Sequence, residues 1–382
     1  MKLLSDLRIL TIEQYGAAPY GTMMLAELGA EVLKIEHGET GGDPSRGVGP
    51  HMLGERDSEY FQAWNLGKRS IALDLKSDRG KRDFHALARH ADAVVNNLRG
   101  SLPRGLGLDY ASIAPINPAV VCVHISAYGR DNDRANWPGY DYLMQAEVGL
   151  MSLTGEPDGP PARVGASMID SMTGMTGMLG LLSGVLQARR TGKGCDIDTC
   201  LFDVAMHQLN YSAVWYLNEG DKPYRQARSA HLSQVPVQTF PTADGWLYVM
   251  CMTEKFWRIL CDEVGRPDLP RDPRFATPVE RRANRDQLTK ILDGEFRKQP
   301  TSHWLSRLTS KIPIAPVYEV DEALEAPFTR ATGMVTSVRH PVRGDLRVLA
   351  NPLKVDGKRP AQTACAPLGA DNDFVERARA TP

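Results

Sequence analysis

No sign of charge dominates this chain: 45 Lys and Arg residues stand against 46 Asp and Glu, leaving a net charge of −1 over 382 residues. Without a run of one sign, nothing offers a nucleic acid or an anionic membrane a long-range attraction, so an acidic ligand must be met by local groups. Cysteine pairs at CxxC spacing are missing too. The six cysteines (Cys122, Cys195, Cys200, Cys251, Cys261 and Cys365) read as reduced thiols, which makes the cytoplasm the expected compartment. There is no HxxxH pair and no acidic cluster beside a histidine, so no metal is expected. No GxGxxG follows a strand-like run, and Gly47-Val48-Gly49 leads into Pro50 rather than into a helix. That pattern argues against a nicotinamide or flavin cofactor. P-loop and GxSxG motifs are lacking as well, which leaves nucleotide hydrolases and serine hydrolases unsupported. The opening MKLLSDLRILTIEQYG is broken by Asp6, Arg8 and Glu13 and lacks the apolar stretch of a signal peptide. Residues Met172 to Leu186 are too short and too rich in glycine to span a bilayer, and are expected to form a buried helix.

What is present is a rhythm. LRILTIE, EVLKIE, SIALDL, DAVVNNL and AVVCVHIS alternate with helical patterns such as GTMMLAELGA and RDFHALARHA. Short apolar runs alternating with helices argue for βαβ units and a mostly parallel sheet, whose ligands sit at the carboxyl ends of strands. Glu36–His37, Asn96–Asn97 and Ser126–Tyr128 are the places so favoured. Residues 129–163 are rich in Gly, Pro, Asp and Asn, a loop setting where function is often carried. From about residue 218 the texture changes to a smaller α+β unit, and the tail reads as a hairpin and a final helix.

One carboxylate stands out. In VGASMIDSMTGMTGMLG, Asp170 opens a helical run in which Gly174, Gly177, Gly180 and Gly184 recur every three or four residues. An Asp at a helix start is a preferred N-cap, while the helix dipole would also hold the carboxylate ionised as a potential nucleophile. The two roles are compatible. The glycine stripe suits close helix packing, and Met168, Met172, Met175 and Met178 at helical spacing suit core filling. His124 sits in an apolar strand as a satisfied core histidine, and His231 lies in the turn-rich SAHLSQVP.

Many segments in the same order resemble the class III CoA-transferases, the formyl-CoA and carnitine CoA-transferase relatives: GAAPYGTMMLAELGAEVLKIE, GGDPSRGVGP, SEYFQAWNLGKRSIALDLKSDRGK, ADAVVNNLRG, PGYDYLMQAEVGLMSLTGEPDGPPARVGASMID and GKGCDIDTCLFD among them. The resemblance implies a Rossmann-like large α/β domain built from both chain ends (1–215 and 326–382), a small central domain (216–325) and an interlocked homodimer. It puts the nucleophilic aspartate on Asp170. Coenzyme A, as acyl-CoA substrate, is implied at Gly16, Ala17, His37, Leu73, Asp74, Leu75, Lys76, Asn97, Leu98, Arg99, Arg104, Ser126, Ala127, Tyr128 and Gly129.

The chain also departs from the formyl-CoA enzymes. Their Gln in the first loop is Gly16 here, their Arg after the second strand is His37, and their Lys before a later turn is Ser126. Arg104 lies one position short of the family arginine, and the glycine-rich lid is replaced by SAHLSQVP, which argues against formate or oxalate. Arg46, Tyr140, His231 and Gln234 are the candidate substrate contacts, and a basic or amide contact suits a small dicarboxylic acid with succinyl-CoA as donor. Two alternatives stand beside the transferase. An α-methylacyl-CoA racemase of the same superfamily uses a histidine where this chain has Tyr140, in Gly139-Tyr140-Asp141, and a phenol is a poor partner for that proton transfer. A non-catalytic CoA-binding protein would be indifferent to loss of the Asp170 carboxylate.

Overall fold

The computed structural model describes residues 2–380. They form two compact units: residues 2–148, 165–209 and 327–380 make the first, and Gly149–Val164 with Asn210–Ala326 the second. Residues 149–164, expected in the large domain, group with the second unit instead. Arg225 donates through Nη1 to the carbonyls of Gly159 and Pro160, and the Arg228 N–H donates to the Glu156 carboxylate.

Six parallel strands carry the first unit: β1 (Arg8–Ile12), β2 (Glu31–Glu36), β3 (Arg69–Ala72), β4 (Ala93–Asn96), β5 (Val121–Ser126) and β6 (Cys195–Cys200), in the spatial order β3-β2-β1-β4-β5-β6. Ile9, Leu10, Leu33, Ile71, Val94 and Val121 to Val123 are buried, as strands covered on both faces require. Between β1 and β4 the strand order reverses, and that switch point is where an open α/β sheet leaves a crevice. Phe84 and Leu87 of the helix Asp78–Ala88 and Val375 of the last helix (Asp373–Ala380) join one apolar cluster with Leu10, Leu33 and Val94. The tail is tied to the edge strand: the Ser70 and Ala72 N–H groups donate to Asp371 Oδ2 at 3.0 Å and Asn372 Oδ1 at 2.8 Å.

Packed together are α1 (Ala17–Glu27), α2 (Asp141–Glu147) and α3 (Met168–Thr191). Gly174 explains the α1–α3 crossing, because a Cβ there would lie 2.2 Å from the Ala17 carbonyl oxygen, while Gly177, Gly180 and Gly184 lie against Ile125, Ile197 and Val121 of β5 and β6. The expectation of a buried α3 needs correction, since only one face is covered. Met178, Leu181 and Val185 are buried, while Met168, Met175, Leu179 and Leu186 are 40–70% exposed, so of the four methionines only Met178 is core. Among the described residues no helix is long and apolar enough to cross a membrane, and all six cysteines are free thiols.

The second unit is α+β. A three-stranded antiparallel sheet (Val237–Pro241, Trp246–Met250, Ile314–Pro316) packs with helices Glu254–Glu263, Arg285–Phe296 and Thr301–Leu308 around Phe240, Trp257, Phe275 and Phe296.

Candidate active site

At the carboxyl ends of β1, β4 and β5 the first unit opens into a cleft of about 350 Å³. Gln14 to Ala17 line it after β1, Asn97 to Arg99 after β4, and Ser126 and Ala127 at the end of β5; Trp137 to Tyr140 and Asp170 complete the wall. Here the chain places together Gly16, Ala17, Asn97, Leu98, Arg99, Ser126, Ala127, Tyr140 and Asp170, nine of the residues singled out from sequence.

Asp170 is the third residue of α3, not its cap. The capping interaction comes from elsewhere in the chain: Asp141, at the start of α2, accepts the Asp170 N–H on Oδ2 at 2.9 Å and the Gln145 amide on Oδ1 at 2.6 Å. With its backbone so held, the Asp170 side chain is free to face the cleft. It lies against Gly16, where a Cβ would come within 2.4 Å of Oδ2. Burial, and then the Asp141 charge, push the Asp170 carboxyl up to about 7. The expectation that the helix start keeps this acid ionised is thus reversed, because desolvation outweighs the dipole once Asp141 has taken the nearest amide.

Residues 4–372 match the model of CoA-transferase family III. The chain belongs to this family. It is 35% identical to the acetyl-CoA:oxalate CoA-transferase of Acetobacter aceti over 89% of this chain and 85% of that one. Identity to the succinate–glutarate CoA-transferase of Agrobacterium fabrum is 34%, over 87% and 84%. A CAIB/BAIF family protein from Brucella suis, solved by crystallography, superposes with a TM-score of 0.83 at 31% identity and 97% coverage of both chains.

Not every candidate residue of this CoA-transferase lines the cleft. His37 and Asp74 follow β2 and β3, with His37 Nε2 3.4 Å from Asp74 Oδ1, and Asp74 also accepts the Lys76 N–H. Leu75 is buried in the apolar cluster that Leu73 packs against. Tyr128 donates to Glu147 at 2.8 Å, and the Gly129 N–H donates to Ser126 Oγ at 2.9 Å. Arg104 is exposed, its Nε 3.9 Å from Asp109. Arg46 is a correction. Its guanidinium is 1% exposed, forks onto Glu36 through Nε at 2.7 Å and Nη2 at 2.8 Å, and lies 3.9 Å over the Phe61 ring, so no donor face is left for a substrate. His231 and Gln234 belong to the second unit, where His231 Nδ1 accepts the Ser233 and Gln234 N–H groups. Burial and the Arg285 charge lower the His231 pKa.

Sequence reasoning missed Tyr15, which lines the cleft with its ring edge-on to Tyr140 at 6.2 Å, and Trp137, half exposed on the cleft wall. Their positions after β1 and in the 129–163 loop were the available signals. His124, expected to be a satisfied core histidine, is fully buried between Asn96 and Asp196, each at 2.9 Å.

Proposed function

We propose that this protein moves CoA from a succinyl-CoA-type donor to a short dicarboxylic acid, with Asp170 as the covalent carrier. The observation that carries this reading is the Asp170 carboxylate in the cleft at the sheet's switch point, lying against the side-chain-free backbone of Gly16. The ionised carboxylate attacks the donor thioester carbonyl and expels CoA thiolate, giving a mixed anhydride. The thiolate then attacks the aspartyl carbonyl, releasing the donor acid and leaving an aspartyl-CoA thioester. The acceptor carboxylate displaces the thiolate to form a second anhydride, and the thiolate takes the new acyl group, restoring Asp170. No net proton and no electron is exchanged.

The Ala17 and Ala18 N–H groups, in the first turn of α1 where no side chain caps the helix, are the donors suited to the oxyanions that form and collapse in each step. The CoA moiety is assigned to the cleft and to the carboxyl ends of β2 and β3 beside it, where His37 and Lys76 are the candidate contacts. A dicarboxylic acceptor is supported by the relatives, whose names pair CoA with oxalate, succinate and glutarate. Oxalate therefore joins the test panel despite the missing glycine-rich lid. Incubation with succinyl-CoA and a panel of mono- and dicarboxylic acids, read by mass spectrometry, should yield new thioesters from dicarboxylates. Exchange with monocarboxylates alone would remove the acceptor assignment. Because the nucleophile must be ionised, kcat/KM should rise with pH and level off above about 7. A profile flat from pH 5 to 9 would contradict the raised carboxyl.

The protein is also proposed to be a homodimer, supported by the exposed Met175, Leu179 and Leu186 on α3. Light scattering should give twice the chain mass of 42.1 kDa, and a monomer at micromolar concentration would refute it.

A further inference from the structure

The turn between β1 and α1 is strained and held from three sides. Tyr15 adopts φ +58°, the left-handed region that a bulky side chain rarely enters. Such a residue persists only where its surroundings over-determine it. Here side chains from distant parts of the chain take one backbone polar group after another. Lys34 Nζ donates to the Glu13 carbonyl at 2.9 Å. Asn97 grips Gln14 on both sides, accepting its N–H at 3.0 Å and donating to its carbonyl at 2.7 Å. The Tyr15 N–H donates to Asp43 Oδ1 at 3.3 Å, and Asp43 Oδ2 is itself 2.9 Å from Lys34 Nζ, with Asp43 and Lys34 both buried. The Gly16 carbonyl then accepts the first α1 bond, from Tyr20. Nothing in this arrangement is needed to close a βα turn, which glycine at position 15 would close without strain.

We propose that Asn97 and Asp43 are positioning residues for the transfer reaction: they force the Glu13–Gly16 turn along the one path that seats Gly16 against the Asp170 carboxylate and keeps water off it. Asn97, implied by family resemblance as a CoA contact, spends its side-chain amide on Gln14 and acts through the turn instead. This rests on Asp170 being the nucleophile. The turn lies on one side of that carboxylate. The other titratable groups around it are Asp141 from α2, Tyr60 from the helix Glu59–Asn65, and Tyr15, Tyr140 and Arg99 on the cleft. A change at Asn97 leaves the charge of each of these groups in place, so a displaced Asp170 titration in that variant reports the turn, whereas a change at Asp43 also removes a charge that acts on Tyr15 and Tyr60.

The test compares Asn97→Ala and Asp43→Asn with the wild type, using acyl-CoA transfer and, separately, the pH dependence of carbodiimide coupling to Asp170 read by peptide mass spectrometry. With the turn released, kcat should fall about 100-fold. The KM for acyl-CoA should stay within about twofold. Both the acid limb of kcat/KM and the coupling midpoint should move from about 7 toward the ordinary carboxyl range. Asp43→Asn keeps the side-chain size and an acceptor for Tyr15 but removes the charge facing Lys34, so it carries the kinetic part of the test, the fall in kcat at constant KM, if Asn97→Ala does not fold. A loss of activity through KM with the midpoint unmoved would overturn the proposal and make Asn97 a CoA contact. Unchanged kinetics would overturn it as well. Coupling needs no turnover, so a wild type that does not transfer CoA would defeat the proposed function while leaving this test intact.

Discussion

Asp170→Asn should lower CoA transfer by at least about a thousandfold, because a neutral amide cannot form the mixed anhydride on which both half-reactions depend. The same variant should fold as well as the wild type or better. Asp141 caps α3 through the Asp170 backbone N–H, which asparagine retains. The sign of the stability change follows from the raised carboxyl. A folded-state pKa near 7, above its unfolded value, means that the folded protein binds the proton more tightly. The Asp170 contribution to stability is therefore fully present below the unfolded pKa and is lost as the pH rises through about 7. Asp170→Asn should accordingly be the more stable protein at pH 8, with the difference fading toward pH 4, as thermal unfolding at both pH values would reveal. Loss of activity with gain of stability is the mark of a residue kept for chemistry. A variant that is inactive and less stable at every pH would return Asp170 to a structural role.

Gly174→Ala should destabilise the protein by about 3 kcal/mol or more, a large effect for one methyl group. Its Cβ would sit 2.2 Å from the Ala17 carbonyl oxygen and 3.0 Å from the Gly21 nitrogen, and those are backbone atoms that no rotamer change can move aside. The two helices would have to separate. Since α1 carries Gly16 at its start and α3 carries Asp170, separation would also cost activity at temperatures where the variant is still folded. Denaturant unfolding measures the first effect. A change under about 0.5 kcal/mol would mean that the crossing yields and the glycine is incidental.

Most of the parallel sheet was legible because its strands are short apolar runs flanked by helical periodicity: β1 to β5 fall on the runs expected, whereas the edge strand β6, CDIDTC, is half-exposed and polar at alternate positions and was not among them. Asp170 was legible through its neighbours. What periodicity could not reveal is pairing across the chain. Asp141 lies 29 residues from the amide it caps, and Asn97 lies 83 from the backbone it grips. Arg46 illustrates the converse error. A basic residue in a Gly-rich loop looks available for a substrate, but Phe61 and Glu36 enclose it, and only the folded loop reveals that enclosure. Asp170 departs from the helix-dipole expectation for a related reason: its desolvation is set by Gly16 and the cleft wall, not by position in the helix.

A covalent Asp170 intermediate is the centre of the proposed transfer, and the most direct measurement of it is peptide mass spectrometry of the protein quenched during turnover with succinyl-CoA. The expected result is a CoA or acyl adduct on the peptide containing Asp170, absent in Asp170→Asn and discharged when a dicarboxylic acid is added. Turnover with no adduct on that peptide, accompanied by solvent deuterium entering the α-carbon of the acyl group, would contradict it.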